Sequence, residues 1–332
     1  MTRRKTSPCL PVSLFSCQRV SVFSVIIPNW NGRRLQLLPA CLAALGRQTY
    51  RDFEVIVVDD CSTDDSREFL AREYPQVRVI VNEKNVGFAP SVNAGIRAAR
   101  GDVVILLNND TEADPHWLEE IAHALGENPR AGMVACKLRL FDKRDHIHSA
   151  GDFYRVDGIP GNRGVWEEDR GQYDDARGVF GACGGAAAYR KTMLAEIGGF
   201  DEALGSYCED VDLNWRARLA GYQVAYAPRA IVYHMVSATG GGALASFFVG
   251  RNFIWVIAKN YPGGLWKKYW RKIMRAQLRI AWDALKSWRG ASARARLRGQ
   301  IAGVFGLPRW LARRREVIRR ASDAEIEAAL AK

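Results

Sequence analysis

The residues predict an α/β chain with a mostly parallel central sheet, helices on both faces and a C-terminal helical extension. Three observations carry this. Short apolar, β-branched runs alternate with helical spacings through the first part of the 332 residues, the pattern of βαβ crossovers. Polar residues gather where those runs end, and in such sheets ligands bind beyond the carboxyl ends of the strands. The charge is unevenly placed: residues 251–332 hold 20 Lys+Arg against 5 Asp+Glu, residues 1–250 hold 28 against 31, and the whole is +12.

Residues 21–28 (SVFSVIIP) read as a buried strand,. Residues 33–47 follow with Leu35, Leu38, Leu42 and Leu45 on one helical face. A second strand is expected at 53–60, then a helix capped by Ser62–Ser66 and running to Tyr74,. A third strand is expected at 77–82, a helix at 93–100 stopped by Gly101, and a fourth strand at 102–110. Asp114-Pro115 opens another helix, since proline suits a first helical turn,. Residues 151–185, rich in Gly, Asp and Arg, read as a long loop over the site,. Short helices at 193–197 and 209–220, the latter ended by Gly221, and a strand at 222–228 complete the body,.

The division expected is a disordered leader at 1–20, a body at 21–240, and a basic extension at 241–332 that holds six of the ten tryptophans. Within the extension Trp270, Met274, Leu278, Ala281, Leu285 and Trp288 form an apolar stripe, with Lys268, Lys272, Arg275, Arg279 and Lys286 on the other side,. That arrangement suits a helix lying on anionic lipid.

Composition excludes several classes. With 48% hydrophobic and 25% charged residues the chain is neither a disordered polymer nor a collagen-like repeat,. It has no run of 18 apolar residues that would predict a membrane span,. Seven cysteines, with no C-x-x-C pair, argue against a zinc or redox motif and favour a reduced, cytoplasmic setting,.

No oxygen-rich motif is diagnostic alone. Asp59-Asp60 also reads as a capping pair, Asn108-Asn109-Asp110 as a turn, and Glu209-Asp210 as carboxylates at a helix N-terminus,. Their convergence on one edge of one sheet is the signal, because clustered buried carboxylates repel unless a cation or ligand offsets them.

The ordered set VSVIIPNWNG-like start, VIVVDDCSTDDS, NVGFAPSVNAGI, GDVVILLNNDT and GGFDEALGSYCEDVDLNWRARLAGY closely resembles family 2 glycosyltransferases, particularly the bacterial rhamnosyltransferase-like branch, over about residues 21–239. The resemblance implies a GT-A fold, a nucleotide-diphosphate-sugar donor, a divalent cation (Mg2+ or Mn2+) and inversion at the anomeric carbon. It implies that Pro28, Asn29 and Asn31 hold the nucleotide, that Asp59 and Asp60 bond base and ribose, and that Asn85, Gly87 and Asn93 approach the phosphates. Asp110 is then the metal ligand, with Asn108 in place of the motif's first acid and Asn109 beside it. His234 is a metal or diphosphate ligand, although a lone histidine also reads as packed. Asp210 is the base with Glu209 supporting it, and Asp212 is structural. Gly184, Gly185, Ala186, Trp215 and Arg216 fall on the acceptor side, Arg216 reading equally as a structural ion pair. Cys183 and Cys208 are expected to be inert, with no base placed to activate a thiol.

The expected partners are the donor, a glycan or lipid-linked acceptor, and an anionic membrane surface at the inner face of the cell membrane. Two rival readings are a nucleic-acid-binding protein using the basic aromatic tail, and a nucleotidyltransferase. The tail's helical charge period argues against nucleic acid, and the single glycine of PNWNGRR argues against the phosphate loop of a nucleotidyltransferase.

Overall fold

The computed structural model describes residues 22–236 and 241–332. The expected leader and the expected boundary at residue 240 lie outside these. The body runs β1 (Phe23–Asn29), α1 (Leu37–Gly46), β2 (Phe53–Asp59), α2 (Ser66–Glu73), β3 (Arg78–Val81), α3 (Phe88–Ala98), β4 (Val103–Leu107), β5 (Thr111–Ala113) and α4 (Trp117–Glu127). It continues through β6 (Ala131–Leu140), β7 (Ile147–Ala150), β8 (Asp152–Tyr154), β9 (Pro160–Asn162), β10 (Ala186–Arg190), α5 (Lys191–Ile197), α6 (Glu209–Leu219) and β11 (Gln223–His234).

The main sheet has the order β3-β2-β1-β4-β10-β6-β11-β5, with β7 on β6. It is parallel from β3 to β4 and mixed beyond: β10 runs antiparallel to both β4 and β6, while β11 is parallel to β6. The apolar runs of β1, β2 and β4 are buried on both faces between two clusters, one gathering α1 and α4, the other α3, α5 and α6. This double burial is why those strands read as continuous apolar runs.

Three expectations are corrected. The helix predicted from residue 33 starts at Leu37, after a turn through residues 32–36. The helix predicted from Asn93 starts at Phe88 behind Gly87, whose φ of 90° an L side chain rarely adopts,. Residues 151–185 are not one loop: β8 and β9 form a hairpin, and the rest is pinned rather than free. Arg163 donates to the carbonyls of Ala150, Tyr173, Asp175 and Arg177, and buried Lys137 pairs with Asp169 at 3.1 Å and with Asp174.

The C-terminal part is α7 (Gly242–Asn260), α8 (Gly263–Lys286), α9 (Ala291–Phe305), α10 (Leu307–Ala312) and α11 (Asp323–Ala329). It shares a core with the body. Trp215 packs against Tyr154 and Phe180 (ring centroids 4.9 Å each) and against Tyr261 at 5.6 Å, in a cluster that includes Leu265 and Ile273 of α8. α8 turns Leu265, Ile273, Ala276 and Ala284 inward. Trp270, Met274, Leu278, Trp282, Leu285 and Trp288 are left between 44% and 63% exposed.

Candidate active site

The ends of β1 and β2 form a corner whose buried side chains bond one another. Asn29 Nδ2 donates to Asp59 Oδ2 at 3.0 Å, and Ser62 N donates to Asp59 Oδ1 at 3.0 Å. Asp60 Oδ1 accepts from Asn82 Nδ2 (2.9 Å) and Val86 N (2.8 Å), and its Oδ2 accepts from Gly87 N (2.8 Å). Asp60 therefore shapes the 82–87 loop. With its amide oriented to satisfy both ends, Asn85 donates to Asp60 Oδ2 and accepts from Trp30 Nε1. Asn31, at φ 53°, accepts from Thr63 N at 2.7 Å and donates its own N–H to Ser62 Oγ. Pro28 lies in β1 opposite Val58.

Asn109 joins this corner to the next one, donating to Asn29 Oδ1 at 2.9 Å. The turn after β4 is held on three sides. Asn108 N donates to Gly185 O (3.0 Å), Met235 N donates to Asp110 O (2.9 Å), and Thr111 Oγ1 donates to Asn108 O (2.6 Å). The end of β11 thus sits against the turn, placing His234 Nε2 3.3 Å from Asp110 Oδ1. The other ring nitrogen, His234 Nδ1, is 3.0 Å from His148 Nδ1, so one ring donates and the other accepts. Burial, with His234 alongside, lowers His148 to about 4 and keeps it neutral.

These residues fit a divalent cation. Asn108 Oδ1 is buried with no hydrogen-bond donor, beside the Asp110 carboxylate and one imidazole. An amide oxygen, a carboxylate and a histidine nitrogen form a donor set that suits Mg2+ or Mn2+.

Glu209 and Asp210, the expected base pair, stand at the N-terminus of α6. Tyr207 and Cys208 precede it at φ 67° and 68°, a left-handed geometry that costs roughly 1–2 kcal/mol for each L residue,. Asp210 Oδ2 accepts from Gly184 N at 2.9 Å, and a Cβ on Gly184 would meet that oxygen at 3.1 Å. Gly184 is small because the carboxylate occupies the space beside it. Burial raises the pKa of Asp210, and burial together with Asp210's charge raises Glu209 to about 8. Asp152 is raised well above the carboxylate range for the same two reasons. Oxygens of Asp152 and Asp210 and the Cys183 sulfur lie within 4.8 Å of one another. Burial pushes both the Cys183 and Cys208 thiols up, against reactivity,.

A cavity of about 650 Å³ joins the turn after β4 to the start of α6: Asn108, Asp110 and His234 line it with Gly184, Glu209 and Asp210, while the β1–β2 corner lies outside its lining.

Four expected site residues lie elsewhere. Asn93 is inside α3, bonding Phe200 N and O and Glu202, so no helix N-terminus stands there. Ala186 pairs with Leu107 inside the sheet, while Gly184 and Gly185 line the cavity. Trp215 is fully buried in the core shared with the C-terminal helices, not on the acceptor side. Arg216 binds Asp212 at 2.7 Å and the carbonyls of Ile197, Gly198 and Gly199, a structural role. Asp212 is structural as expected: Arg216 and Lys259 beside it lower its pKa to about 2.

Sequence reasoning missed His148 and Asp152. His148 lies on edge strand β7 and Asp152 opens the β8–β9 hairpin; the polar run Asp145-His146-Ile147-His148 with Asp152 was the signal that could have found them.

Comparison with known proteins agrees with this geometry. The Glycosyl transferase family 2 model matches residues 24–198. An N-acetylglucosaminyl-diphospho-decaprenol L-rhamnosyltransferase of Mycobacterium tuberculosis is 26% identical over 262 residues, 72% of this chain and 85% of that protein. The uncharacterized protein y4gI of Sinorhizobium fredii is 30% identical over 244 residues, where this chain spans about a quarter (26%) of the relative's length. The crystal structure of S. aureus TarS 1-349 in complex with UDP aligns with a TM-score of 0.54 at 20% identity, covering 89% of this chain and 88% of that one. The mannosyltransferase PcManGT from Pyrobaculum calidifontis, in complex with GDP-Man and Mn2+, gives 0.54 at 17% identity, covering 94% and 86%. The fold is GT-A with a helical C-terminal part. A family match across more than half of the residues, laid over a site with the motifs in place, makes this chain a member of glycosyltransferase family 2.

Proposed function

We propose that the protein is an inverting glycosyltransferase. It moves a sugar from a nucleotide-diphosphate-sugar to a hydroxyl of a glycan or lipid-linked acceptor in cell-surface polysaccharide synthesis. One observation carries this: the Asn108–Asp110–His234 donor set and the Glu209–Asp210 carboxylates line a single cavity.

Asp110, with His234 and Asn108, would hold a divalent cation, which when bound would supply Lewis-acid stabilisation of negative charge on a departing diphosphate. The chain's own residues do the rest. The β1–β2 corner, with Asp59, Asp60, Asn29 and Asn31, presents a pre-ordered rim to the nucleotide. Asp210, kept basic by burial, takes the proton of the acceptor hydroxyl as that oxygen attacks the anomeric carbon,. The new C–O bond forms while the bond to the diphosphate breaks, and the electron pair leaves with the diphosphate.

A thermal-shift screen of UDP-, dTDP- and GDP-sugars, with and without Mn2+, tests the reading. A nucleotide sugar that binds the native state raises its melting temperature by mass action. No shift with any of them would count against the donor assignment.

The exposed apolar row of α8, beside exposed Lys268, Lys272, Arg275, Arg279 and Lys286, supports contact with an anionic membrane surface,. No helix among the described residues is long and apolar enough to cross a membrane. Sedimentation with anionic vesicles should weaken when Trp270, Leu278 and Trp282 are replaced by Ser. Unchanged binding would remove the membrane from the account.

A further inference from the structure

Resting on the assignment of Asp210 as base, we infer that Asn252 of α7 is a positioning residue for the chemical step, holding the strained turn from which the base projects. The segment entering α6 has positive φ at Gly205 (75°), Tyr207 (67°) and Cys208 (68°). Such a turn directs carbonyls inward, and buried carbonyls need donors. Asn252, fully buried, supplies them: its Nδ2 lies 3.1 Å from Leu204 O, 3.0 Å from Ser206 O and 2.6 Å from Tyr207 O. Its Oδ1 accepts from Arg251 Nε at 3.0 Å, and the Arg251 guanidinium also reaches Leu204 O.

Non-glycine residues hold left-handed geometry only where their surroundings over-determine it. Here one side chain from the C-terminal helices provides that constraint. Glu209 and Asp210 are the next two residues along the chain.

A second tie holds the same turn of α6 from the other side. Lys259 Nζ bonds Asp201 Oδ2 (2.6 Å) and Asp212 Oδ1 (2.9 Å), and Asn260 Nδ2 donates to Asp212 Oδ1 at 2.8 Å. α7 also faces the cavity, with Ala245, Val249 and Phe253 among its lining residues. The C-terminal part therefore forms one wall of the active site and sets the backbone of the base. It is part of the catalytic unit.

Loss of the Asn252 donors leaves the Ser206 and Tyr207 carbonyls unpaired, Leu204 O keeping Arg251, so the turn relaxes toward negative φ, Asp210 shifts and water enters. A misplacement of about 1 Å can cost about 10²-fold in rate. Hydration also removes the burial that raises Asp210, so the acid side of the rate profile moves to lower pH,. The groups facing that carboxylate are Glu209 on its own helix, Asp152 and Cys183 from the 152–183 segment, Cys208, and Tyr189 of β10.

The test uses full-length Asn252→Asp and Asn252→Gln. The first replaces the amide donor with a carboxylate of the same shape, and the second keeps an amide. Donor hydrolysis is followed against pH with the nucleotide sugar that most raises the melting temperature, alongside calorimetry of that sugar. Hydrogen exchange of residues 204–211 is followed without any ligand.

For Asn252→Asp we expect turnover per folded molecule down by about 10–100-fold, donor affinity within about twofold of wild type, the acid limb at lower pH, and faster exchange at 204–211. Asn252→Gln should recover part of each. An unmoved acid limb with undiminished turnover, or unchanged exchange at 204–211, overturns the inference. If Asn252→Asp does not fold, Asn252→Gln decides by the same readouts. Should wild type bind none of the nucleotide sugars, the proposed function fails instead, and hydrogen exchange still judges the clamp.

Discussion

The β1–β2 corner and the start of α6 use the same side chain, an aspartate, on opposite terms: Asp59 and Asp60 are buried and Asp210 is half-buried. Asp59 and Asp60 together accept six N–H donors, from Asn29, Ser62, Asn82, Asn85, Val86 and Gly87. Donors of this kind fix the backbone that supplies them. Asp210 accepts from two backbone N–H groups but stands near Glu209 and Asp152, and none of these three carboxylates has an ion-pair partner among the described residues. Burial there raises the pKa. A saturated carboxylate suits a scaffold, and a desolvated, crowded one suits the base role proposed for Asp210.

Substitutions that convert one kind of corner into the other test this contrast. The largest effect is expected from Asp210→Asn. Sugar transfer should fall by about 10²–10⁴-fold with donor affinity unchanged, measured by turnover and calorimetry, and near wild-type transfer would take Asp210 out of the role. Next is Asp110→Ala, which should abolish the cation-dependent part of donor binding in a titration with and without Mn2+. Cation-dependent binding that survives it would mean the ion sits elsewhere.

Asp60→Asn should act through the fold. With N–H groups left facing an amide N–H, the 82–87 loop loses about 1–3 kcal/mol, read as a lower denaturation midpoint together with weaker nucleotide binding. A loss of turnover with unchanged midpoint and affinity would show that Asp60 belongs with the carboxylates at the start of α6.

The smallest expected effect is in Glu209→Gln. In the folded chain Glu209 titrates at about 8, against 4.5 in a model peptide. Above the lower value the unfolded chain has released the proton and the folded chain has not, so this group lowers stability as pH rises from about 4.5 to 8,. Glu209→Gln should flatten the melting temperature across that window. An unchanged slope would mean that the glutamate is ionised in the folded state.

Much of the fold was legible because the signals are local. β1, β2 and β4 are apolar runs of the right length, and their polar ends announce the ligand edge. The C-terminal half was less legible. β10 is Ala186-Ala187-Ala188-Tyr189-Arg190, a run of helix-favouring alanines that becomes a strand because it is buried between β4 and β6, where small side chains let the layers close,. Trp215 followed a site motif in sequence, yet on α6 it points to the opposite face from Asp210, into the core completed by Tyr261 and Leu265.

The sequence by itself determined the α/β class, the order of the carboxylate motifs and the amphipathic period of α8. Each of these depends on residues within a few positions of one another. Tertiary structure alone decided that β10 inserts antiparallel into the sheet, that His148 and Asp152 reach the site, and that α7 holds the turn before the base. Those depend on contacts between segments tens of residues apart, where burial and hydrogen-bond satisfaction outweigh local preference,.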